Sequence, residues 1–128
     1  VLGEDAVDCG ISADSLRKLG ALVVMGISAN RTTEHATALL PSSAWAEKRG
    51  TMINLKGRLQ RFNQAIQPPG QAREDWEILR DLIQAISGSN GIYAVEEVFK
   101  QLASEVPALQ GLTISRIGDL GVQLSFTA

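Results

Sequence analysis

The 128-residue chain is 45% apolar and 20% charged, the balance of a folded domain and not of a disordered segment. A net charge of −2 with no basic face argues against a nucleic-acid partner held by phosphate neutralisation. The one cysteine, Cys9, excludes an internal disulfide and a self-contained cysteine-built zinc or iron–sulfur site. No apolar run reaches the ~20 residues of a membrane span.

Val1-Leu2-Gly3-Glu4-Asp5 reads as the tail of a strand and a loop, so the chain looks cut from something longer. Ser12 is placed to cap a short helix through Leu19, with Leu16 and Leu19 facing inward and Gly20 as the stop. Ala21–Gly26 is a continuous apolar run of strand length, which suits a parallel strand covered on both faces. A polar loop follows and opens into a helical turn at Thr32 or Thr33. Ala38-Leu39-Leu40-Pro41 reads as a second short buried strand, ended by proline. Strands alternating with short helical turns argue for a partial parallel, Rossmann-like sheet.

The middle reads differently. Residues 51–55 and 58–62 flank Lys56-Gly57, a pair suited to a tight hairpin turn. Pro68-Pro69-Gly70 is a rigid break. Trp76, Leu79, Ile83 and Ile86 then share one helical face, widened by Ile78 and Leu82, and the run from Gly88 to Gly91 ends that helix. Val95, Val98, Phe99 and Leu102 repeat the pattern, with Glu96 and Glu97 in the first turn complementing the helix dipole. From Gly111 onward Leu112, Ile114, Ile117 and Leu120 are apolar but interrupted by glycine, and no element is assigned there. The expected fold is α/β: a partial parallel sheet with flanking helices, a β-hairpin and a C-terminal helical pair, in one domain over residues 1–128.

Two blocks carry a family resemblance. One runs from Thr32-Thr33-Glu34-His35 through Ala38-Leu39-Leu40-Pro41 to Glu47, Gly50-Thr51 and Asn54. The other runs from Gly57-Arg58-Leu59-Gln60 to Pro68-Pro69-Gly70 and Asp75-Trp76-Glu77-Ile78. Together they resemble the molybdopterin oxidoreductase superfamily over residues 21–87. Thr37 stands where an acid often precedes the strand. The run Gly57–Ala65 looks closest to the large molybdopterin-oxidoreductase-like subunit of the respiratory NADH:quinone oxidoreductase, complex I. That branch implies a structural and assembly segment, without redox centres of its own, in a subunit that helps pass electrons from NADH to quinone. It implies iron–sulfur clusters in an N-terminal part of the parent, loss of the molybdenum cofactor, and the other peripheral-arm subunits as partners. It also implies a cytoplasmic location against the inner side of the membrane. The alternative within the superfamily is a segment of a formate dehydrogenase or nitrate reductase that lines the molybdopterin site.

The candidate cofactor contacts, should a pterin bind, are Glu47, Thr51, Asn54 and Arg58. The competing reading is that Glu47 and Asn54 hold a tight loop through side chain–backbone bonds, since no glycine-rich loop opens a helix nearby. His35 and Cys9 lack companions in sequence and read as ordinary side chains. Arg58 and Arg61, with Lys48, Arg49 and Lys56, form the one basic concentration, either a solvated strand face or an interface. Trp76 is expected in the core. An exposed Trp45 would mark a contact made in a larger protein. Surface left bare in a fragment predicts self-association, through an edge strand or the apolar C-terminal stretch.

Overall fold

A computed structural model describes residues 1–88 and 91–125. The architecture is mixed α/β, as expected. A parallel pair, β1 (Val23–Gly26) and β2 (Ala38–Pro41), runs in register from Val23 opposite Ala38 to Gly26 opposite Pro41. Residues 1–3 lengthen this sheet: Leu2 bridges Met25 in parallel, and the Met25 N–H donates to Val1 O at 2.9 Å.

The short helix α1 (Ala13–Arg17) precedes β1, and Ser12 caps it by accepting from the Ser15 N–H at 3.2 Å. It ends at Lys18, before the expected limit. Leu16 is buried but Leu19 is exposed, because the helix stops before Leu19 can share its inward face. Leu16, Leu22 and Val24 form a small apolar cluster. Thr33–His35 makes the single 3-10 turn between β1 and β2. β2 departs from expectation, because its side chains are mostly exposed, Leu39 at 57%. The cluster of Leu16, Leu22 and Val24 includes no β2 residue, and of the two β2 leucines Leu40 alone is half-buried.

The hairpin forms as β3 (Gly50–Ile53) and β4 (Arg58–Phe62), antiparallel with Ile53 opposite Leu59. The turn is longer than the expected Lys56-Gly57 pair. Asn54 N–H closes it on Arg58 O at 3.0 Å, and Gly57 supplies the left-handed residue at φ 75°. A third strand, β5 (Val122–Gln123), joins the far edge of β4. Its sequence carries no alternation long enough to read.

Helix α2 (Asp75–Ser87) ends on Gly88, left-handed at φ 68°, whose N–H donates to Gln84 O. Ser89 and Asn90, part of the expected break, lie outside the described residues. Helix α3 (Val95–Glu105) packs Phe99 and Ala103 inward, together with Leu59, Leu109, Ile117 and Leu124. This second cluster is the larger core. Ile78 alone of the α2 stripe is buried; Leu79, Ile83 and Ile86 remain exposed, at 41%, 58% and 86%. Leu102 of α3, expected inward, is 45% exposed. The amphipathic faces are those the periodicity predicts, but among the described residues only part of each is covered: Ile78 on α2, and Phe99 and Ala103 on α3.

Candidate functional site

In open sheets with parallel strands, ligands lie beyond the carboxyl ends of the strands. Here those ends are Gly26 and Pro41, and a cavity of about 320 Å³ opens beside them, lined by Gly26, Ile27, Ser28, Thr33, Leu40 and Pro41 among others. That volume is at the lower end of small-molecule sites.

The loop over β1 is tightly held. Thr32, fully buried, donates through Oγ1 to Asp5 Oδ1 at 2.6 Å and accepts from the Val7 N–H at 3.3 Å. Asp5 also accepts from the N–H groups of Val7 and Arg31, at 3.0 and 3.1 Å. The Thr32 hydroxyl, these N–H groups and the Arg31 charge hold the Asp5 carboxyl below its ordinary pKa, against the opposing effect of burial. Asn30 and Thr33 exchange four further bonds: Thr33 N–H to Asn30 Oδ1 and O, Thr33 Oγ1 to Asn30 O, and Asn30 N–H to Thr33 Oγ1. One wall of the cavity is therefore pre-set. The Ser28 hydroxyl, which also lines it, is exposed and makes no hydrogen bond among the described residues.

Beyond Pro41 the chain is stitched to the segment before α2. Ser43 N–H donates to Arg73 O at 2.8 Å, and Arg73 N–H to Pro41 O at 3.1 Å. Ser42 and Ser43 are buried, and their hydroxyls have no partner among the described residues. An unpaired buried hydroxyl costs about 1–3 kcal/mol, so these two are unspent hydrogen-bonding capacity. Asp5, Ser42 and Ser43 carry no signal in the sequence that singles them out, and Thr32 is marked there only by the threonine-rich turn of the first family block. Asp5 and Thr32 meet across 27 residues, a separation without a local pattern.

The four sequence-derived candidates are not gathered into one pocket. Glu47 sits in a 3-10 turn (Trp45–Glu47) and accepts from the Ala44 N–H through Oε2 at 2.9 Å. Asn54 accepts through Oδ1 from the N–H groups of Lys56 and Arg58, at 2.9 and 3.0 Å, so it holds the hairpin turn. Arg58 donates to the carbonyls of Leu120 and Gly121, at 3.1 and 3.3 Å, and ties β5 to β4. Thr51, half-buried on β3, has no side-chain hydrogen bond among the described residues. Three of the four are thus spent on the chain's own structure, Glu47 and Asn54 locally and Arg58 across more than sixty residues.

Cys9 is exposed and His35 half-buried, and among the described residues no three His, Cys, Asp or Glu side chains group as metal ligands. Trp76 is half-buried instead of core; its indole N–H donates to Glu74 Oε2 at 2.7 Å, and the Arg80 guanidinium lies 5.4 Å from its ring centre. Trp45 is 72% exposed.

Residues 5–85, which include Asp5, both parallel strands, the hairpin and most of α2, match the molybdopterin oxidoreductase family. The chain belongs to that family. It is 36% identical, over 81% of its length, to F420-dependent formate dehydrogenase 1 subunit alpha of Methanococcus maripaludis. It is 37% identical, over 73%, to the NADPH-Fe(3+) oxidoreductase subunit alpha of Geobacter sulfurreducens, and 26% identical, over 94%, to formate dehydrogenase H of Escherichia coli. These alignments span 16%, 11% and 18% of those relatives. The relatives correct the finer expectation: they are mainly formate dehydrogenase subunits, not the large subunit of complex I. The peripheral-arm partners, the quinone chemistry and the lost cofactor that followed from that branch lose their support with it. Among the described residues no helix is long and apolar enough to cross a membrane.

Proposed function

We propose that this chain is a segment of a molybdopterin-dependent oxidoreductase of formate dehydrogenase type, and that it contributes one wall of the cofactor crevice. The observation that carries the reading is its 32–36% identity to formate dehydrogenase alpha subunits of Methanococcus maripaludis, over 81–96% of the chain. The cavity at the carboxyl ends of β1 and β2 supports it, since an organic cofactor needs a preformed apolar slot with a few hydrogen-bonding groups.

The residues fit the organic part of such a group and not its metal. Ser28 offers a free hydroxyl at the cavity, while Cys9 and His35 form no ligand set. Thr51 is the one sequence-derived candidate with an unspent side chain; Glu47, Asn54 and Arg58 would act by holding the surrounding loops. Bound in the whole enzyme, the cofactor would supply a two-electron acceptor, which matches the two electrons and one proton released when formate becomes carbon dioxide. This segment's share is to bind and to keep the wall rigid through the Asp5–Thr32 pin.

The test is expression of the full-length parent in a host that makes molybdopterin, followed by metal and pterin analysis and formate-dependent reduction of a viologen dye. Stoichiometric pterin with dye reduction is expected. A purified, folded parent without pterin would refute the reading. Pterin without formate activity would retain the cofactor role and remove the substrate.

A further inference from the structure

A second cleft, of about 450 Å³, opens between the start of β3, the end of β4, the first turns of α3 and the turn at 113–115. It shares no residue with the crevice at the strand ends. Two of its walls lie beyond residue 85, where the family match stops. Its floor is carbon: Phe99, 4% exposed, with Phe62 and Ile114. Gly50 makes the room, because a Cβ there would stand 3.1 Å from Phe62 Cζ, so the ring lies directly against the strand.

Cations line the rim. Arg49 is engaged by Glu96 through both terminal nitrogens, at 2.9 and 3.3 Å, and Arg61 donates to Asp119 at 2.5 Å. Lys100 is exposed and has no hydrogen-bond or ion-pair partner among the described residues. The Thr113 and Ser115 hydroxyls share one hydrogen bond of 3.0 Å, which leaves one O–H donor between them. With Arg49 paired to Glu96 and Arg61 to Asp119, Lys100 is the one lining cation without a carboxylate partner among the described residues, so the rim is net +1 in a chain whose net charge is −2. The local field favours an anion where the molecule as a whole repels one.

We propose that this cleft binds a small organic oxyanion with a flat apolar body, the aryl phosphates being the simplest class. The ring would cover Phe62, Phe99 and Ile114, and the oxyanion would meet the Lys100 ammonium and the 113–115 hydroxyls. Neither half suffices alone. An inorganic anion leaves the aromatic floor wet, and an uncharged ring leaves Lys100 unpaired. Lys100 is suited to the task because its ammonium is a free point charge on a flexible stem, whereas both arginines are already fixed by carboxylates. The inference does not rest on the cofactor reading.

The experiment is titration of the ¹⁵N-labelled 128-residue chain with phenyl phosphate, inorganic phosphate and phenol, each separately. Phenyl phosphate should shift the amides of Gly50, Phe62, Lys100 and Thr113 and bind at least about fivefold more tightly than either half-molecule. Lys100→Glu should weaken it about five- to tenfold, the scale of reversing one exposed charge contact, and Lys100→Arg should retain it. Amide shifts located elsewhere, equal binding of inorganic phosphate, or an unaffected Lys100→Glu variant would each overturn the proposal.

Discussion

Gly121→Ala should destabilise the fold far more than Gly118→Ala, three residues away. Both glycines hold left-handed backbone, at φ 73° and 67°. A side chain in that region costs about 1–2 kcal/mol, and both variants incur it. Their surroundings differ. A Cβ at Gly118 meets nothing within 4 Å, whereas one at Gly121 would stand 2.5 Å from Leu59 O and 2.9 Å from Gln60 Cγ. The first of those atoms is strand backbone and cannot swing aside. Leu59 is 2% exposed at the centre of the larger core, and its strand pairs with Val122. Relieving the overlap means moving β5 off β4 or distorting that core, which adds about 1–3 kcal/mol. The expected totals are about 2–5 kcal/mol for Gly121→Ala and about 1–2 kcal/mol for Gly118→Ala, adding the same two costs. For a chain of this length, each kcal/mol lowers Tm by roughly 4 °C. Urea melts of both variants, fitted with a common slope, measure the difference directly. Equal destabilisation of the two, within about 0.5 kcal/mol, would refute the close approach of β5 to β4 and with it the third strand.

Phe99→Ala should cost about 3–5 kcal/mol in the same urea assay, because it empties the middle of the larger cluster. A loss under about 1 kcal/mol would mean that cluster is not the core. The Asp5→Asn substitution tests the loop pin through pH. The Asp5 carboxyl sits below its unfolded value of about 3.9, so its contribution is complete above that pH and is lost as pH falls through the lower folded value. The stability gap between wild type and Asp5→Asn should stay flat from about pH 7 to 5 and close only below about pH 4; a gap that widens on acidification would contradict the geometry. Finally, self-association is expected to use the exposed face of α2 in place of the edge strand or C-terminal stretch that the sequence suggested, and Ile83→Asp, at a position 58% exposed, should give a monomer in sedimentation velocity. A wild-type monomer at high concentration would rule that association out.

What the sequence determined by itself was local. Ser12 caps α1 because its hydroxyl reaches an N–H three residues on, Gly57 turns the hairpin, and Gly88 stops α2; each needs only its immediate neighbours. The 3.6-residue period identified α2 and α3, and apolar runs identified β1 and β2, because period and length are properties of a short window. The family was legible as well, from spacings held within residues 21–87, although its branch was not. Tertiary structure alone decided which apolar faces find a partner. The stripe Leu79, Ile83 and Ile86 has the same pattern as a buried one, and only the folded chain shows it left 41%, 58% and 86% exposed. It also decided the fate of the polar side chains. Arg58 is used by carbonyls 62 and 63 residues away, and Asp5 by a hydroxyl 27 residues away. Nothing in a local window carries such a distance, so a residue's free or engaged state, and hence its claim to a site, exists only once the chain has folded.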